Sequence, residues 1–212
     1  MQTKSGVVLI LTGLLLLAAG CASRTPAGRP PVPRFGGMLP RPIAIQIFDD
    51  RPPIEWGGEF DEAWIYSAFE PAPQVLHFAD VVGHSLRRLG AVPTYQMVTS
   101  DVKAAEVHYL LRIRLIHWYA RWPVNIPRNA EHARVEGRCE IVYELFKGGE
   151  RVHLGRKRVS PQPFQAPLNV IHAGNVGKIV EDSLVFQLDQ AHHQVLDDLM
   201  FDLADRWPRF VQ

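Results

Sequence analysis

An α+β domain, built on a mostly antiparallel sheet with two helices packed on one face, is the fold this sequence predicts. Three observations predict it. Residues 107–119 and 134–146 each alternate apolar and charged positions in the two-residue period of a half-buried strand. Lys147-Gly148-Gly149-Glu150 after the second run is a hairpin signal, because both glycines adopt positive φ readily. Residues 74–89 and 179–207 carry apolar stripes at helical spacing.

The elements follow in chain order. Residues 1–20 read as a secretory signal peptide: a polar head with Lys4, an apolar centre from Val7 to Leu17, then the small residues Ala18, Ala19 and Gly20. Its apolar centre of 11 residues is too short for a hydrocarbon core that takes roughly 20. Residues 21–42 hold six prolines among few large apolar groups and read as a disordered, semi-extended tether. The remaining 43–212 suit a single domain.

Within that domain, Ile43 to Phe48 reads as the opening strand, closed by Asp49-Asp50-Arg51-Pro52-Pro53, since proline removes ladder donors. Val75, Ala79, Val82, Leu86 and Leu89 mark the buried side of the first helix. Arg87 and Arg88 suit its C-terminal end, and Gly90 supplies the stop. A short strand follows near residues 92–98. In the next two strands Arg112 and Arg114, then Arg134, Glu136, Arg138, Glu140 and Glu144, are expected to face water, with the return strand near 151–159. Cys139 falls on the opposite, apolar face and reads as a buried, inert thiol. The last helix buries Val180, Leu184, Leu188, Ala191, Val195, Leu199 and Leu203.

Cys21 directly after Ala18-Ala19-Gly20 resembles the lipobox of bacterial lipoproteins, although Ala18 stands where that family usually has leucine. The resemblance implies cleavage between Gly20 and Cys21, a diacylglyceryl thioether on Cys21 and an acylated (palmitate-type) amino terminus. Two or more chains make stable anchoring, each methylene contributing about 0.8 kcal/mol. Ala22, rather than aspartate, implies sorting to the outer membrane, facing the periplasm. The body resembles the ABC-type transport auxiliary lipoproteins and the YajG-like families. The matching features are Ile45-Gln46-Ile47-Phe48-Asp49-Asp50-Arg51-Pro52, Leu86-Arg87-Arg88-Leu89-Gly90 and the looser Ala105-Glu106-Val107-His108-Tyr109-Leu110. That resemblance implies an accessory subunit of an envelope complex and transfers no catalytic residue. The lipopolysaccharide-assembly lipoprotein that plugs an outer-membrane barrel is the neighbouring alternative.

The chemistry-bearing residues point the same way. A net charge of +1 makes no global case for nucleic-acid binding. His192 and His193 leave a helix about 100° apart, unsuited to one ion, and no metal-ligand spacing, phosphate loop or cofactor motif is present. Six carboxylates, Asp49, Asp50, Glu55, Glu59, Asp61 and Glu62, open the alternative of a periplasmic hydrolase or carbohydrate-active enzyme. Asp49-Asp50-Arg51 reads more simply as a turn with a local ion pair. Aromatics crowd two expected loops: Trp56, Phe60, Trp64, Tyr66 and Phe69 before the first helix, and Trp118, Tyr119 and Trp122 before Arg134. Of these, Trp56, Trp64, Tyr66, Trp118 and Trp122 form the expected contact surface for an envelope protein or lipid, the alternative being that they fold back and seal the sheet ends. The resulting expectation is a non-enzymatic, membrane-anchored accessory or binding lipoprotein, with lipid transport as one setting and a purely structural envelope role as the weaker reading.

Overall fold

The computed structural model describes residues 32–53, 58–60, 63–66, 71–98, 102–123, 125–169 and 174–212. In chain order these form β1 (Ile43–Asp49), β2 (Gly58–Phe60), β3 (Ala63–Tyr66), α1 (Pro71–Arg88), β4 (Tyr95–Val98), β5 (Tyr109–Pro123), β6 (His132–Lys147), β7 (Glu150–Val159), β8 (Phe164–Pro167) and α2 (Val176–Val211). The signal segment, Gly20, Cys21 and the tether up to residue 31 lie outside the described residues.

The architecture is α+β, with a mixed sheet whose antiparallel pairings outnumber the parallel ones. The two long strands β5 and β6 pair antiparallel at its centre. Along the outer side of β5, β1 takes Leu110 to Leu115 in parallel and β3 takes Ala120 to Pro123 antiparallel. Along the outer side of β6, β7 takes Cys139 to Lys147 and β8 takes His132 to Val135. β4 lies parallel to β1 beyond it, reached through α1, and β2 pairs with β3. The short strands β2, β3 and β8 hold three or four residues each. Such runs are too brief for a two-residue period to stand out, so the sequence showed only loops there. Trp64 and Tyr66 therefore belong to a strand rather than a loop.

Both helices pack on one face and share a single core with it. Phe78, Ala79, Val82 and Leu86 of α1 meet Ile43, Ile45, Leu111, Ile113, Tyr143 and Leu145, together with Leu184, Leu188, Val195, Leu199 and Leu203 of α2. α1 ends as expected: Gly90 takes φ +72°, and the Ala91 amide donates to the Leu86 carbonyl. Cys139 is fully buried. Gly137 lets α2 approach β6, because a Cβ there would stand 2.7 Å from the Gln187 carbonyl oxygen. In the hairpin, Gly148 and Gly149 take φ of +59° and +89°, conformations that favour glycine.

One boundary moves. The folded body begins at Pro33, ten residues ahead of the expected start at Ile43. Leu39 is buried and its amide donates to the Ala91 carbonyl at 2.9 Å. The Phe35 ring meets Trp207 edge-on at 4.9 Å, and Gly36 lies against Pro208. A proline-rich composition suggested a tether through Pro42; two apolar side chains are enough to pin nearly half of it.

Candidate functional site

The two helices cover one face of the sheet; the other carries a small apolar cluster of Ala44, Leu110 and Phe146 at one end and is otherwise rich in charge. Alternation along β5, β6 and β7 projects Arg112, Arg114 and Arg121, then Arg134, Glu136, Arg138, Glu140 and Glu144, then Arg156 and Arg158 to that side. The ladder sets them against each other, with Arg112 opposite Glu144, Arg121 opposite Glu136 and Glu140 opposite Arg158. Cross-strand ion pairs follow: Arg121–Glu136 at 2.8 Å, Arg112–Glu144 at 3.7 Å and Arg151–Glu144 at 2.9 Å. Arg134 also reaches Glu136 at 3.2 Å, and Arg114 reaches Asp50 at 2.8 Å. Opposite charges across a strand pair stabilise it by fractions of a kcal/mol each, so register alone does not require so many cations.

Glu140 is the centre of this lattice and corrects one expectation. It does not face water: its side chain is 0% exposed, roofed by arginines. Arg138 donates to one carboxylate oxygen and Arg156 to the other, while Arg158 stands 3.9 Å away. Burial pushes the Glu140 carboxyl up, but the hydrogen bonds and charges of Arg138 and Arg156 outweigh it and hold its pKa below the ordinary carboxylate value. Arg138 in turn is pushed down by burial and raised, on balance, by Glu140.

In these contacts eight arginines share four carboxylates, Asp50, Glu136, Glu140 and Glu144, leaving four formal positive charges unmatched. At one end of the face, Arg134, Arg138 and Arg158 line a groove of about 370 Å³ with Tyr119, Glu136 and Ser160. Guanidinium groups present planar forks of donors suited to carboxylate and phosphate oxygens. The arrangement can therefore hold anions. The arginine-glutamate alternation was visible in the sequence; the sharing of Glu140 and Glu144 with arginines of β7 came only with its register.

The expected aromatic surface fares differently by residue. Trp118 and Trp122 are 4% and 6% exposed and belong to the core, so they offer no contact surface. The physical reason is a bulge: β5 shifts register between Leu115 and His117, so the buried positions pass from Leu115 to Trp118, Ala120 and Trp122. The strand continues where the broken alternation suggested a loop. Trp64 pairs opposite Trp122 along the ladder, and Tyr66 opposite Ala120; Trp56 lies outside the described residues.

Asp49 and Asp50, the two acids of the loop region whose side chains are described, are held in ion pairs. Arg51 donates twice to Asp49, Nε to Oδ1 at 2.8 Å and Nη2 to Oδ2 at 2.7 Å, which is the local ion pair the sequence suggested. Asp50 holds Arg114. Glu55, Asp61 and Glu62 lie outside the described residues.

A second polar cluster lies on the helix side. Tyr143 donates to Asp202, its hydroxyl lies 3.2 Å from His153 Nε2, and Lys157 reaches Asp202 at 3.2 Å. Burial and then the Asp202 carboxylate push the phenol upward, so it stays protonated. The cluster ties the β6–β7 hairpin to α2. Among the described residues no three His, Cys, Asp or Glu side chains stand together as a metal site. No helix among them is long and apolar enough to cross a membrane.

No protein-family model matches the chain, and no curated protein matches it. Several solved structures are distantly similar to it. A Xanthomonas campestris protein of the DUF330 family is 13% identical, with a TM-score of 0.47 over 85% of this chain and 96% of that one. A Neisseria meningitidis lipoprotein is 11% identical, with a TM-score of 0.34 over 71% and 99%. Lipoprotein B of Nitrosomonas europaea is 11% identical, with a TM-score of 0.39 over 83% and 91%. Likeness at this level carries no residue role and no activity to this chain.

Proposed function

We propose that this protein is a non-enzymatic bacterial envelope lipoprotein, anchored through Cys21, that serves as an accessory or binding subunit of an envelope complex. The observation that carries the binding role is the sheet face left uncovered by both helices, where eight arginines share four carboxylates. Such an excess repels itself, and an anionic partner relieves that repulsion. The resemblance in the opening strand and first helix favours a complex that moves lipids, and Ala22 after the anchoring cysteine favours the periplasmic side of the outer membrane. An anchor at Cys21 and a body starting at Pro33 leave a leash of at most roughly 40 Å, at 3.3–3.6 Å per extended residue. That length suits a partner at or near the lipid surface.

Affinity isolation of the tagged chain from gently solubilised, crosslinked membranes tests this reading. The expected result is recovery of a defined envelope partner by the wild type and its loss when Arg114 and Arg151 are replaced by glutamate. Recovery of the chain alone under several crosslinking conditions counts against it. For the anchor, Cys21→Ser is expected to abolish incorporation of labelled palmitate and leave an uncleaved precursor; unchanged labelling rejects it.

A further inference from the structure

We propose that the groove bounded by Arg134, Arg138 and Arg158 is a binding site for a phosphate monoester. This deepens the proposed function, because it assigns a ligand class to one end of the same face. The groove holds about 370 Å³, within the usual range for small-molecule sites and more than a bare phosphate fills. The ligand is therefore a phosphate carried on a larger group, a lipid headgroup or a soluble sugar phosphate.

Several features select this chemistry. Three guanidinium groups border the groove, and Tyr119 and Ser160 add hydroxyls that donate or accept as required. Arg134 and Arg158 are 65% and 61% exposed, leaving much of each donor fork to solvent. Arg138 is steered by the buried Glu140, while its Nε is buried and meets no acceptor among the described residues. A phosphate monoester brings up to two negative charges and three terminal oxygens, enough to engage more than one fork. A carboxylate brings one negative charge and two oxygens, which offsets less of the excess. Glu136 on the rim opposes the anion; because it bridges Arg121 at 2.8 Å and Arg134 at 3.2 Å, it can stay with Arg121 while Arg134 turns inward.

The test titrates the full chain in nonionic detergent with inorganic phosphate and with short-chain dihexanoyl phosphatidic acid. The expected result is saturable binding that weakens at least tenfold in the Arg134→Gln/Arg158→Gln variant. Both arginines are exposed, so their replacement leaves the core intact, and Arg138→Lys, which keeps the charge but not the fork, is expected to weaken binding less. In the Arg114→Gln/Arg151→Gln variant, outside the groove, binding is expected to persist. Tenfold or tighter binding of the lipid over phosphate assigns the site to a headgroup; equal binding assigns it to soluble phosphate esters. Absence of saturation with both probes, or equal weakening by the two arginine pairs, overturns the proposal. Partner recovery from membranes by a wild-type chain that binds neither probe refutes the phosphate site and leaves the accessory role standing.

Discussion

His192 shows how a single side chain ties this fold to pH. It lies within α2 at 7% exposure, its ring 5.2 Å from Phe78 and 5.1 Å from Trp118. Burial first, then the charges of His193 and His77, lower its pKa to about 4. In the unfolded chain it titrates near the ordinary value of about 6.5, so the unfolded state takes up a proton that the native state refuses. The sign follows: stability is full above pH 6.5 and is lost progressively as pH falls towards 4, by roughly 3 kcal/mol for a shift of this size. His153, also lowered by burial, adds in the same direction. Urea midpoints at pH 7 and pH 5 are expected to differ clearly in the wild type and less in His192→Phe, which keeps an apolar ring there. Equal pH sensitivity in the two proteins rejects this account. Glu140 acts in a lower window, because its depressed pKa makes its contribution disappear only below the ordinary carboxylate range. Glu140→Gln leaves three guanidinium groups crowded over a neutral floor. It is expected to destabilise by about 3 kcal/mol in urea unfolding at pH 7, in line with breaking one side of a buried pair. The sequence displayed Glu140 as one of several alternating charges, and nothing local distinguished it. Its burial arises from arginines on its own strand and on β7, a long-range fact that alternation does not encode.

For the elements, legibility tracked length. α1, α2, β5 and β6 announced themselves through periodicity and β7 through the hairpin glycines 148 and 149, while Gly90 marked the end of α1. β2, β3 and β8 were silent because three or four residues hold too little pattern. β5 was cut short for a different reason. Its bulge adds one residue, Ile116, and moves the buried set from odd to even positions, which from sequence alone resembles the end of a strand. The same bulge turned Trp118 from an expected surface anchor into a core residue that packs against Phe78 and His192. Trp118→Ala is accordingly expected to lower stability by about 3–5 kcal/mol, the range for emptying a buried aromatic site. Thermal unfolding would measure it, and a loss below about 1 kcal/mol, typical of surface sites, contradicts this placement. The approach of α2 to β6 allows a complementary test. Gly137→Ala places a Cβ 2.7 Å from a backbone oxygen, an atom that cannot rotate away, and overpacking of this kind costs about 1–3 kcal/mol.

The molecule as a whole is two-faced, one side of its sheet sealed by both helices and the other roofed with guanidinium groups. A net charge of +1 conceals this, since acids elsewhere cancel the excess in the sum while leaving it in place on the surface. The segment 33–42 completes the body on the helix side, where Phe35 meets Trp207 and Leu39 enters the core. Composition could not distinguish that segment from the residues before it, because proline content argues against regular structure but not against packing. If 33–42 were tether, its side chains would not affect unfolding. Since Leu39 is 1% exposed and Val32 is 65% exposed, the two make a matched pair. Leu39→Ala in the full chain is expected to cost about 2–5 kcal/mol, and Val32→Ala less than about 0.5 kcal/mol. Comparable small effects at both positions in urea unfolding would return the start of the body to Ile43. A large effect at Leu39 alone keeps 33–42 within the folded body.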